Sequence, residues 1–389
     1  MRSATRHYAR DDVPGIIYGA GCDGFHGVDD YVDLDSLAAV TPTLAATVGR
    51  VVRRALKRAT ENVRSHSGAK PPLLGSSFRP REALLYSGPV IDAHTHFWDL
   101  SMNKHPWLSP SDGSVQALGG LDKLRHNYLV ADYLRDSAGQ NIVASVHIEA
   151  LWDTADPVGE TEWLDTLDKS RGVAVRYTAA APFGTPQAAG ILEGQAAHER
   201  VIGIRDILSF HPTSPEKSFA SRADKAVDPA WRRDIARLPG LGLIFELMMY
   251  PYQLDAVLDV ARSMPELRLV VNHCGSPIDR DEEGMLRWRE SVRNLGREPN
   301  IMIKASNAAG YDPDPTYESV RAVVLHCIES FGTDRTILAT DWPVAGLKVR
   351  FGDIYDTLRR ITADMTLDEQ RALFHDNAKR LYRIEDSYA

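Results

Sequence analysis

At 389 residues the chain exceeds a common domain of roughly 150, yet one α/β barrel can absorb about 250 of them. Hydrophobic residues make up 43% and charged residues 25%, which is globular composition and excludes a disordered or fibrous chain. Forty-five basic against 53 acidic side chains leave a net charge of −8, which argues against generic binding to nucleic-acid phosphates.

The three cysteines, Cys22, Cys274 and Cys327, are too scattered for a disulfide framework or a paired zinc signature. They suit a reducing compartment. Arg2, Arg6 and Arg10 are followed by no apolar segment, so no secretory signal is expected. The apolar stretch Leu241 to Tyr250 is interrupted by Glu246 and falls short of the ~20 residues that span a bilayer. A soluble, cytoplasmic protein with no membrane partner is the expectation.

Residues 1–88 read as an N-terminal extension. Gly19-Ala20-Gly21-Cys22-Asp23-Gly24 matches G-x-G-x-x-G, but no helix-opening segment follows to hold a pyrophosphate, so nucleotide binding is not expected. Thr41 to Val63 places Leu44, Val48, Val51, Val52, Ala55 and Leu56 at helical spacing, with Arg50, Arg53, Arg54, Lys57 and Arg58 between them. That is one amphipathic helix with a basic face, suited to packing on the main body or to a partner or membrane surface. Ser65 to Pro80 is rich in Ser, Gly and Pro and reads as a linker or strap.

From residue 89 to 389 short aliphatic runs alternate with helical segments. Strands are predicted at 90–94, 142–148, 173–177, 201–207, 242–248, 268–272, 301–304 and 336–339, with helices including Gln253–Met264, Thr316–Ser330 and Leu367–Leu381. Eight strand–helix alternations over a span close to ~250 residues point to a (β/α)8 TIM barrel. Active sites of such barrels lie where the strands end, so the chemistry is sought there.

Strand 1 ends in His94 and His96, two apart and therefore on one face, natural ligands for a divalent ion. Strand 6 ends in His273 before a Gly/Pro turn, either on the same rim or as a core histidine. Strand 8 ends in Asp341, a costly group to bury without a cation or donors, or else a helix cap. His147 and Glu149 close strand 2. Arg205 on strand 4 can fork onto a carboxylate or pair internally with Asp206 or Glu246; Glu246 on strand 5 reads as a ligand, a base or that partner. Trp98, His105 and Trp107 wall a pocket or simply pack.

The segment IDAHTHFWDLSMNKHPWL (91–108), with SVHIEA (145–150), GIRDI (203–207), YPYQL (250–254), VNHCGSP (271–277), TDWPV (340–344) and NAKRLYRI (377–384), resembles the amidohydrolase superfamily. Within its amidohydrolase-2 branch the chain is most similar to the lactonase-like group of fuconolactonase, rhamnonolactonase and 2-pyrone-4,6-dicarboxylate lactonase. The resemblance covers about residues 90–385. It implies a (β/α)8 barrel with His94, His96, His273 and Asp341 at active-site positions. Arg205 and Glu246 stand where many metal-dependent relatives carry a carboxylated Lys or Glu and a His, which disfavours a binuclear centre. Ala339-Thr340 replaces the usual Gly-Ser before the final Asp.

The expected activity is opening of a lactone or related ester by activated water. Asp341 is the expected base, with His273 steadying water or oxyanion. His94, His96 and Asp341 would hold one divalent metal, zinc first among candidates, or the imidazoles would act on the carbonyl without metal. Arg205, His147, Glu246 and Trp98 are the expected substrate contacts. The alternative is a metal-dependent decarboxylase or hydratase of an unsaturated or aromatic acid; a third reading is a barrel that only binds a ligand or partner.

Overall fold

A computed structural model of the chain describes residues 85–109 and 120–388. The predicted 41–63 helix, the 19–24 motif and the 65–80 linker lie outside the described residues.

Eight strands form one parallel sheet in chain order: β1 (Val90–Thr95), β2 (Ile142–Ile148), β3 (Arg176–Ala180), β4 (Val201–Ile207), β5 (Ile244–Met248), β6 (Leu269–Val271), β7 (Ile301–Ala305) and β8 (Thr336–Leu338). A helix follows each strand: α1 (Val130–Asp136), α2 (Gly159–Asp165), α3 (Ala188–Ala196), α4 (Pro229–Ile235), α5 (Leu254–Ser263), α6 (Glu282–Gly296), α7 (Tyr317–Phe331) and α8 (Phe351–Ile361). The seam between β8 and β1 is joined at its upper end. There the Asp341 N–H donates to the His94 carbonyl at 2.9 Å and the His96 N–H to the Trp342 carbonyl at 2.8 Å. This is a (β/α)8 barrel.

Local chemistry sets most boundaries. Thr316 caps α7 by accepting the Ser319 N–H, and α5 buries Val257, Leu258, Val260 and Ala261 before Pro265 ends the pattern. Strand β3 begins three residues later than the aliphatic run suggests. Gly172 (φ +76°) and Ala174 (φ +49°) turn the chain left-handed, so the extended ladder starts only at Arg176. The terminal segment expected as one helix is α9 (Leu367–Arg371), a wide π turn over 372–376 and α10 (Asn377–Tyr382).

The barrel interior is apolar below and charged above. Ile91, Val146, Val175, Ile202, Val270 and Ile337 belong to the lower cluster. Gly203 is required in the wall because a Cβ there would meet Ile244 Cγ1 at 2.5 Å. Above it Lys304 and Glu246, both fully buried, pair at 2.6 Å. Glu246 also accepts from Thr178 Oγ1 (2.8 Å), Asn272 Nδ2 (2.8 Å) and the Tyr382 hydroxyl (2.7 Å), while Lys304 donates to the Ala93 carbonyl at 2.7 Å. Burial alone would raise the Glu246 carboxyl, but Lys304 and these donors hold it below its ordinary range.

Candidate active site

The upper ends of β1, β6 and β8 converge on one carboxylate. Asp341 Oδ1 lies 3.0 Å from His96 Nε2 and 3.4 Å from His94 Nε2. Its Oδ2 accepts from Asn307 Nδ2 at 2.8 Å and lies 4.0 Å from His273 Nδ1. Three of these groups occupy left-handed backbone: His273 (φ +52°), Asn307 (φ +47°) and Asp341 (φ +68°). Non-glycine residues there cost on the order of 1–3 kcal/mol each and cluster at functional sites, where surrounding structure enforces them. Here the enforcing bonds are visible: the Asp341 N–H on His94, the Gly310 N–H on the Asn307 carbonyl at 2.9 Å, and the Ser276 N–H on the His273 carbonyl at 2.8 Å.

Protonation follows from these contacts. His96 Nδ1 lies 2.7 Å from the Ile148 carbonyl, so it carries a hydrogen, and Nε2 is the atom turned to the carboxylate. His94 is fully buried and neither ring nitrogen has a hydrogen-bond partner among the described residues. Burial first, then the Lys304 charge, hold its imidazole well below the ordinary range. Burial likewise lowers His273 to about 4 against the pull of Asp341. Burial would raise Asp341, but His273, the His96 hydrogen bond and Arg205 hold it down as a carboxylate. The neutral imidazoles of His94 and His273 beside an ionised carboxylate are the donor set of a divalent metal. His94, His273 and Asp341 offer ligand atoms all within 4.8 Å of one another, and His96 is not in that group.

Above these groups opens a cleft of about 510 Å³, lined by His96, His273, Asn307 and Asp341 and by Trp107, Leu151, Arg205, Phe219, Met248 and Tyr311 among others. A larger cavity of about 670 Å³ lies between α7 and α8; it shares Asn307 with the cleft but contains none of the histidines. The smaller cleft, which holds His96, His273 and Asp341, is therefore the candidate site.

The amidohydrolase family profile matches residues 91–384, most of the chain. The chain belongs to the amidohydrolase family. An uncharacterised Sinorhizobium fredii protein, y4mH, is 33% identical over 298 residues, covering 76% of this chain and 98% of that one. An L-fucono-1,5-lactonase of Burkholderia multivorans is 26% identical over 318 residues, covering 76% and 96%. A solved Burkholderia multivorans amidohydrolase with bound zinc shares the fold with a TM-score of 0.64 at 20% identity, covering 77% and 100%.

In this amidohydrolase the expected substrate contacts stand at different depths. Arg205 lines the cleft, but its Nε donates to Glu149 Oε1 at 2.6 Å and its Nη2 to the Glu149 carbonyl at 2.8 Å. Its partner is Glu149, not Asp206 or Glu246. Glu246 does not line the cleft. It pairs in register with Arg205 one step below the Ile207–Met248 pair, and its oxygens are taken by the four donors described above. His147 is fully buried with Nε2 3.1 Å from Glu160 Oε1, and Trp98 is buried behind Trp107 with its N–H on the His126 carbonyl at 2.7 Å. Asn307, Phe219, Met248 and Tyr311 were not anticipated. The strand-end rule applied to β7 would have found Asn307, two residues past Ala305. The loop-borne Phe219 has no comparable signal.

Proposed function

We propose that this amidohydrolase hydrolyses a lactone, with Asp341 as general base. Asp341 takes a proton from water as the oxygen adds to the acyl carbon. The ring C–O bond then breaks and the leaving alkoxide receives that proton, giving a hydroxy acid. Asn307 holds Oδ2 and His96 faces Oδ1, so the carboxylate is oriented before substrate arrives. One divalent metal fits His94, His273 and Asp341, and when bound it would polarise the carbonyl as a Lewis acid. That ligand set replaces His94, His96 and Asp341, and His96 becomes the residue that orients the base. Zinc is the first candidate from the nitrogen and carboxylate donors. A cytoplasmic setting belongs to the proposal: Cys274 and Cys327 are buried free thiols. Among the described residues no helix is long and apolar enough to cross a membrane.

The observation that carries this reading is the Asp341 carboxylate gathered by three imidazoles and one amide at the cleft floor. The lactonase named among the relatives supports the substrate class. The decarboxylase alternative draws less support, because the cationic fork a carboxylate substrate would use is already held by Glu149. The test is lactone hydrolysis followed by proton release. Turnover that survives Asp341→Asn removes this mechanism.

A further inference from the structure

We infer that the cleft takes an uncharged lactone with an apolar body, not a polyhydroxylated sugar lactone or a dicarboxylate. This rests on the lactone-hydrolysis reading above. Among the described residues Arg205 is the single arginine or lysine lining the cleft, and Glu149 compensates its charge through two of its three nitrogens. Glu149 is itself an ionised partner: burial would raise it, but Arg205 holds it below the ordinary range. Only the Nη1 arm is left for a ligand, and its N–H groups suit a neutral carbonyl or ether oxygen. A dianion would be stripped of water and meet no uncompensated side-chain cation, with Asp341 nearby.

The rest of the wall is equally telling. Leu151, Ile207, Phe219, Met248, Val344 and the ring of Trp107 supply most of the surface that is not part of the catalytic cluster. Three of the polar groups in the wall already donate to the protein. The Trp107 N–H donates to the Ala150 carbonyl at 2.7 Å, Asn307 Nδ2 to Asp341, and the Tyr311 hydroxyl to Ser276 Oγ at 3.4 Å. A sugar lactone brings several hydroxyls that each need a partner once desolvated, and each one left unpaired lowers kcat/KM by roughly tenfold or more. An alkyl or aryl body loses nothing against this wall and gains from burial.

The experiment uses the full chain with zinc supplied and compares dihydrocoumarin and δ-octalactone with an aldono-1,5-lactone and 2-pyrone-4,6-dicarboxylate, the Asp341→Asn protein serving as blank. The expected result is a kcat/KM at least about 100-fold higher for the two uncharged apolar lactones. Preference for the aldonolactone or the dicarboxylate, or rates within tenfold across the panel, overturns this inference and leaves lactone hydrolysis standing. Absence of Asp341-dependent turnover on every compound overturns the lactonase reading itself, and this inference with it.

Discussion

Asp341 is held from both sides, so the two holds can be separated by substitution. Asp341→Asn preserves shape and removes the base; kcat is expected to fall by ~10²–10⁴-fold with the thermal midpoint little changed. Asn307→Gly keeps the left-handed backbone and deletes the amide that donates to Oδ2. A hydrogen bond to a charged group contributes about 1.5–3 kcal/mol, so kcat should drop on the order of 10- to 100-fold with KM less affected. The orphaned His94 gives a readout independent of turnover: zinc added to chelator-treated protein should raise the melting temperature, and His94→Ala should abolish that rise. At this scale the sequence exposed the histidines and the aspartate, because strand ends are legible and their chemistry is distinctive. It misplaced Glu246, because one step of two residues along β5 separates the cleft wall at Met248 from the filled interior, and composition carries no depth.

Among the elements, the loop between β4 and α4 shapes the cleft, since it carries Phe219 into the wall. Asp279, in the loop after β6, ties it down by accepting from Lys217 Nζ at 2.7 Å and facing His211 Nε2 at 3.1 Å; it also accepts the Tyr252 hydroxyl at 2.7 Å. Burial would raise the Asp279 carboxyl, but these donors outweigh it and hold it at about 2. A carboxyl lowered by folding adds stability above its unfolded value of ~3.9 and loses it as pH falls toward the folded value. The wild-type advantage over Asp279→Asn in urea midpoint should therefore be full at pH 7 and vanish between about pH 4 and pH 2. The same variant should raise KM more than it lowers kcat, as the Phe219 loop loosens. Strand and helix order was readable from periodicity. The start of β3 was not, because Val173, Ala174 and Val175 look extended while Gly172 and Ala174 impose positive φ.

For the molecule as a whole, the decisive internal contact is Lys304 with Glu246, since it links β1, β3, β5, β7 and α10 across the barrel. Removing one partner leaves the other charge buried and alone, which costs about 3–5 kcal/mol. Lys304→Ala and Glu246→Ala should each lower the denaturation midpoint sharply, and Lys304→Met with Glu246→Leu should cost less than either alone. A pairwise excess that fails to appear in that double-mutant cycle would show the two groups to be independent. Barrel architecture was legible because eight alternations leave few topologies. The charged interior was not, since its partners are as far apart as Ala93 and Tyr382.

The hydrogen bonds that join the last strand to the first run through His94, His96, Asp341 and Trp342 themselves. The backbone of these residues thus closes the barrel while their side chains would do the chemistry. A chain with seven strands in place and the eighth still loose has no base in position and no carboxylate facing its histidines. During refolding, recovered turnover should keep step with amide protection at His96 and Asp341, and a nascent or damaged chain should be silent rather than promiscuous.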